Sequence, residues 1–250
     1  MAPGCPYNGA MRRVGVLICL TFTVLLAPHV VSGQATPVPT TADEVCAPIA
    51  GGTPVPSPTA VADVDLAALD FDLIFLEAMI PHIQNSIDMA IVVRERSGRA
   101  EMTAFTEQEL QNMQAQVGAM RQWRAEWYPD TPALSQSQLV QAMSMKLADS
   151  PGVGGVAGLE EMDARHRDAD LAAVCSSGGD IDLAYIDAVI AHNGSSIILA
   201  RAAADRSTHR EIRELAGGMI AMQQYEIDQL LAWRGEWFPG TPIPNDHSGG

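Results

Sequence analysis

The sequence predicts an all-α protein, a four-helix bundle built from two homologous helical hairpins. Three observations carry this expectation. Residues 71–132 align without a gap on residues 181–242 at an offset of 110, with 19 of 62 positions identical. Within each copy, apolar residues recur at helical spacing on either side of one short break. Both copies close on a proline-bearing turn, Pro129-Asp130-Thr131-Pro132 in the first and Pro239-Gly240-Thr241-Pro242 in the second.

The chain has 250 residues, 47% of them hydrophobic, enough for one medium domain with a real core. Its first 33 residues read differently. Arg12 and Arg13 precede an apolar run from Val14 to Leu26, and the segment ends at the small Val31-Ser32-Gly33. This is the pattern of a secretory signal peptide, with Met11 as an alternative start. No later apolar run reads as long enough to span a bilayer, so no integral span is expected after cleavage. The product is expected outside the cytoplasm: periplasmic, extracellular or on the cell surface. Removing residues 1–33 takes the formal net charge from −15 to −17. A chain this acidic repels nucleic acid and anionic lipid and attracts cations.

Residues 34–64 are rich in Pro, Thr, Ala and Gly and read as an extended linker. The compact domain is expected over residues 65–245. Cys5 and Cys19 fall in the leader, leaving Cys46 and Cys175. In an oxidising compartment such a pair either forms a disulfide or stays as two thiols, and spacing alone does not decide between them.

The first helix of repeat one carries apolar or small residues at 75, 79, 82, 86, 89 and 93, with a second stripe at Leu73, Leu76, Ile80, Ile83 and Ile87. Together they make the wide apolar face of a bundle helix. Pro81 interrupts it, removing one backbone hydrogen bond and predicting a local kink. The second repeat has Ala191 there and keeps His192 opposite His82. "RSGRAEM" and "RSTHREI" break each hairpin, with Ser97 and Ser207 as expected N-caps of the second helices, subject to a shift toward Gly98 or Thr208. The second helix of repeat two sets Ile212, Leu215, Met219, Met222, Glu226, Leu230 and Trp233 along one seam. The connector, 133–180, holds a short helix ("SQSQLVQAMSMKLA"), a glycine-rich break ("SPGVGGVAG") and a further helix ("LEEMDARHRDADLAAV").

"FDLIFLEAMIPHIQNSIDMA" and "IDLAYIDAVIAHNGSSIILA" resemble the repeated signature "FD..F...MI.HH..AI.MA" of the domain-of-unknown-function 305 family, and "IAMQQYEIDQLLAWRGEW" resembles its second-helix signature. The resemblance covers about residues 65–240. It implies a ferritin-like four-helix bundle, usually exported from bacteria, with copper bound through His and Met in some members. This sequence departs from the signature where it reads His82-Ile83 and His192-Asn193 in place of paired histidines.

The residues themselves offer a metal reading. Met79 and Met89 share a helical stripe with His82, and imidazole plus thioether suits Cu(I). Met113 and Met120 on the second helix are further candidates to reach the same layer. For His192 the corresponding groups are Met219, Met222 and Glu226 on its facing helix. If the hairpins pack about a pseudo-dyad, His82 and His192 meet near the axis and one shared site replaces two. The candidate metal ligands are therefore His82, His192, Met79, Met89, Met222 and Glu226, with copper as the ion. The competing reading is structural: buried histidines hydrogen-bonded to Gln116 or Glu226, and methionines as core filling.

Catalytic sets are hard to find. A di-iron centre needs Glu-x-x-His on two helices, and the nearest match is Asp163-Ala-Arg-His166, which offers at most an accessory cation site. No nucleophile motif is present and no glycine loop follows a strand. Trp123, Trp127, Trp233 and Trp237 sit near helix ends and are expected to close the bundle's ends. The leading expectation is an exported, non-catalytic metal-binding or metal-handling protein. The alternative is a helical structural or interaction module that has lost the family's metal site.

Overall fold

The computed structural model describes residues 40–50, 64–148 and 164–242, all within one unit, Val38–Gly250. The expected signal peptide, most of the 34–64 segment and the glycine-rich break lie outside the described residues. There are α-helices and no strands among the described residues: α1 (Ala42–Ala50), α2 (Phe71–Arg96), α3 (Ala100–Trp127), α4 (Gln136–Leu147), α5 (Ala164–Cys175), α6 (Ile181–Arg206) and α7 (Arg210–Trp237). The fold is all-α, as the apolar periodicity implies.

Helices α2 and α3 form one hairpin and α6 and α7 the other, and the hairpins meet through α2 and α6. Helix α2 also packs against α1, α4 and α5, while α6 packs against α5. These two helices are thus covered on several sides, and their burial shows it. The first stripe predicted on α2 is inside, Phe75, Met79, His82, Ser86, Met89 and Val93, and so are Leu73, Leu76, Ile83 and Ile87 of the second, while Ile80 is only half-buried. The same all-round cover explains the composition of α6. By length and hydropathy α6 has the makings of a membrane span, which amends the expectation that no run beyond the leader is long enough. Its apolar side chains, among them Ile186, Ile197 and Leu199, are buried within the protein.

Each first helix begins at an aspartate N-cap. Asp70 accepts from the Asp72 amide at 3.3 Å, and Asp180 accepts from the Asp182 amide at 3.0 Å. Helix α2 continues through Pro81 as one element. Ser97 and Ser207 are not the N-caps of the second helices. They are the C-caps of α2 and α6, and the N-caps of α3 and α7 are Arg99 and His209, neither using its own side chain. Ahead of α7 the opposite hairpin instead fixes the two residues that lead into the helix. The buried Asp72 carboxylate takes hydrogen bonds from the Thr208 amide (3.0 Å), the Thr208 hydroxyl (2.7 Å) and the His209 amide (3.0 Å).

Part of the segment read as an extended linker is helical. Thr41 and Glu44 cap α1 reciprocally: the Thr41 hydroxyl accepts from the Glu44 amide at 3.3 Å, and the Glu44 carboxylate accepts from the Thr41 amide at 3.2 Å. Ala42 and Val45 are buried against the core, and the Ala42 amide donates to Glu95 at 2.8 Å. Cys46 and Cys175 are joined by a disulfide with Cα atoms 5.6 Å apart, which pins α1 to the end of α5. Of the two cysteine readings, the structure has the bond.

Candidate functional site

His82 and His192 come from equivalent positions of α2 and α6 and meet where these helices cross. Their rings stack with centroids 3.6 Å apart and planes 7° from parallel. The His82 Nε2–H donates to the His192 carbonyl at 3.2 Å, and the His192 Nε2–H donates to the His82 carbonyl at 3.1 Å. A carbonyl only accepts, so both Nε2 atoms carry hydrogen, and in neutral His82 the free lone pair lies on Nδ1. His82 Nδ1 has no hydrogen-bond partner, while His192 Nδ1 is 3.6 Å from an Asp170 carboxylate oxygen. Complete burial pushes the His82 pKa well below the ordinary histidine value, with neighbouring His192 and Arg167 acting in the same direction. The pair meets as the pseudo-dyad reading expects, but its hydrogen bonds go to backbone and not to Gln116 or Glu226.

A second convergence lies between α3 and α7. A small cleft with room for little more than a water molecule is lined by Glu109, Met113 and Gln116 from α3 and by Met219, Met222 and Glu226 from α7. Its floor is closed by Ile83 and Asn193, the positions that depart from the paired-histidine signature. Asn193 Nδ2 donates to Glu226 at 2.7 Å. Buried Gln223 takes a hydrogen bond from Ser196 at 2.8 Å, and Asn112 donates to the Met222 sulfur at 3.5 Å. Ser86 also faces the cleft, nearly buried.

Glu109 and Glu226 are both buried and lie close enough for each to perturb the other. Burial pushes Glu109 well above the usual carboxylate range, and the Glu226 charge pushes it further. Burial also raises Glu226, against the hydrogen bonds from Glu109 and Asn193.

The structure divides the six ligand candidates among three places. Met222 and Glu226 line the cleft, and His82 and His192 form the stack. Met89 is fully buried in the core. Met79 is also buried, its sulfur 3.8 Å from the Ser196 hydroxyl, whose hydrogen goes to Gln223. None of His82, His192, Met79 and Met89 lines the cleft. Among the described residues no group of three or more His, Cys, Asp or Glu side chains is placed to hold a metal ion. The accessory site considered at Asp163 and His166 involves side chains outside the described residues.

Repeat-related residues that the sequence reading left without a role tie the hairpins together. Arg124 pairs with Glu77 and also donates to the Tyr128 and Thr131 carbonyls; Arg234 pairs with Asp187 and donates to the Thr241 and Pro242 carbonyls. Each arginine thus fixes its own first helix and the proline-bearing turn that follows. Between hairpins, Arg99 lies 4.6 Å from the Trp237 ring centroid and 3.0 Å from Asp182. At the equivalent place His209 stacks on Trp127 at 3.7 Å and bonds Asp72 at 2.7 Å. The tryptophans therefore do close the ends. Repetition of "WR.EW" was the available signal for these arginines.

Two helical hairpins, paired through their first helices about a repeat axis and carrying a soft-donor cleft on that axis, define a duplicated all-α fold class. The family model of a domain of unknown function, DUF305, matches residues 72–234, and the chain belongs to this family. Among solved structures it is similar to CopM in the Cu(I)-bound form, with 21% identity and a TM-score of 0.51 over 67% of this chain and 97% of that one. The Cu(II)-bound form of CopM gives 22% identity and a TM-score of 0.50 over the same shares. A DUF305 protein of Streptomyces coelicolor, described as secreted, gives 22% and 0.53 over 67% of this chain and 93% of that one. At these identities the likeness concerns the fold. No curated protein matches the chain.

Proposed function

We propose that this protein is an exported, non-catalytic metal-handling protein whose cargo is copper. The observation that carries the reading is the cleft between α3 and α7, which gathers the Met113, Met219 and Met222 thioethers beside Glu109 and Glu226. Thioether sulfur is a soft donor suited to copper, and a buried carboxylate supplies charge. The membership in DUF305, the fold shared with CopM and the Cys46–Cys175 disulfide agree with this reading and with an oxidising compartment. The leader over residues 1–33 supports export.

The test is copper content of the purified chain together with copper titration under anaerobic and aerobic conditions. Stoichiometric binding supports the reading. A folded protein that takes up no copper in either condition removes it.

One observation favours the second reading, a structural module without metal. The His82/His192 pair spends both Nε2–H groups on backbone carbonyls and stacks face to face, an arrangement that holds helices together without any ion. On this reading the pair is a rivet at the helix crossing.

A further inference from the structure

We propose that the α3/α7 cleft is the metal site, that it selects a soft monovalent ion, Cu(I) or its analogue Ag(I), through thioethers from both repeats, and that the His82/His192 pair takes no part. This rests on the metal-handling reading and adds the oxidation state and the exclusion of the histidine pair.

The repeat itself locates the site. Residues lining the cleft are related by the same offset of 110: Glu109 to Met219, Met113 to Gln223, Gln116 to Glu226, and Ile83 to Asn193. The cleft therefore sits on the repeat axis. The two halves have diverged there in complementary fashion. Where one half has a carboxylate the other has a thioether or an amide, so the cleft gains one acid from each repeat, one thioether from α3 and two from α7. The result is one asymmetric site made from two half-sites.

The chemistry then narrows the ion. The cleft has the scale of an ion and not of an organic ligand. It offers sulfur donors and two carboxyls and contains neither imidazole nor thiolate. Zn(II) and Cu(II) sites are built from imidazole, thiolate and carboxylate, and no such group of three exists among the described residues. The imidazoles of the stack are parallel, each donating its Nε2–H to backbone, and do not converge on a point. Thioethers in low number suit Cu(I), which has no demand for a fourth hard ligand.

Polar groups stand around the cleft as if to position donors. Asn193 orients Glu226, and Asn112 holds Met222 by one sulfur lone pair, leaving the other. Ser86, over nine-tenths buried with 8% exposure, faces the cleft with no hydrogen bond among the described residues, whereas its repeat partner Ser196 bonds Gln223. Met113, Gln116 and Met222 are half-buried and give an ion a way in from solvent.

The experiment is an anaerobic Cu(I) titration of the full chain against a chromophoric Cu(I) chelator, with parallel Ag(I), Cu(II) and Zn(II) titrations and X-ray absorption of the copper-loaded protein. The expected result is one Cu(I) or Ag(I) per chain with sulfur in its coordination shell. Affinity should fall at least 100-fold in Met113→Leu/Met222→Leu, a volume-conserving pair, and change less than threefold in His82→Asn/His192→Asn. Circular dichroism establishes that each variant is folded, and Met222→Leu alone replaces the double variant if it is not. Tighter Cu(II) or Zn(II) binding, or Cu(I) affinity that follows the histidine variant and ignores the methionine one, overturns this proposal and leaves metal handling standing. No binding of any of the four ions overturns both.

Discussion

His82 is neutral because it is buried, and this has a measurable consequence. Its folded-state pKa lies well below the ordinary value. The unfolded chain therefore takes up a proton that the folded protein refuses. Stability from this residue is fully present above about pH 6.5, the unfolded value, and falls as pH drops below it. Urea melts between pH 7.5 and 5 should show this slope, reduced in His82→Gln. The substitution His82→Ala, which also opens a void beside His192, should cost about 3 kcal/mol at pH 7.5. Glu109 works in the opposite sense. Its folded pKa is raised, so the folded state keeps a proton that the unfolded chain loses above about pH 4.3, and stability declines as pH rises toward the folded value. Glu109→Gln is neutral throughout and still donates a hydrogen bond. It should raise stability at pH 8 by an amount on the order of 1 kcal/mol, read from the denaturant midpoint. Asp88, raised to about 6 by burial, adds to the same trend. Separating these opposed slopes requires the single variants.

At the scale of elements, the hairpins secure each other's turns. Burial alone would raise the Asp72 carboxyl, but hydrogen bonds from Thr208 and His209 outweigh it and hold it below the usual range. Asp72 is on α2 and the residues it fixes lead into α7. Removing it takes a charged acceptor from three partly exposed donors of the other hairpin, so Asp72→Ala should cost about 2 kcal/mol, against about 1 for Asp180→Ala, an N-cap acting within its own helix. Hydrogen exchange should show the loss at the α7 N-terminus and not only in α2. No local pattern shows such a contact, so the sequence pointed to Ser97 and Ser207. Serine ahead of a helix is a good local signal, and the acceptor for Thr208 is 136 positions away in the chain. The first-helix stripes, by contrast, were legible because α2 is buried on nearly every side, with residues 72–76 and 89–93 buried without a break, so almost any apolar position on it is inside. Helix α1 was also marked, by Thr41-Ala-Asp-Glu44, but the surrounding prolines masked a capping box that burial against α2 makes effective. The site was legible only in part. Helix phase brought out His82 and His192, yet it carries no information on which donors of α3 and α7 face each other, and that decides the cleft.

For the molecule as a whole, the repeat carried most of the architecture, since two equivalent hairpins that each expose one apolar face bury it on each other. What the repeat could not supply is asymmetric: among the described residues α1, α4, α5 and the disulfide have no counterpart in the other half. The bond spans 129 positions. On the chain-entropy account a loop of that length is worth about 5 kcal/mol. Reduction, or Cys46→Ser, should lower the urea midpoint accordingly and expose the α1 amides to exchange while α6 and α7 stay protected.

That same bond decides how the protein bears tension. Suppose the chain is held at its N-terminal end, as a surface-tethered protein would be, and pulled at its C-terminal end. Force entering at Thr40 reaches Cys46, crosses the sulfurs to Cys175 and continues through α6 and α7. The entire first hairpin hangs in a closed loop outside the path. Oxidised protein should unfold in an optical trap with about 450 Å of contour hidden, at roughly 3.5 Å per residue over the 129 residues bridged, and release it only under reductant. The first hairpin is mechanically sheltered, and the second carries the load.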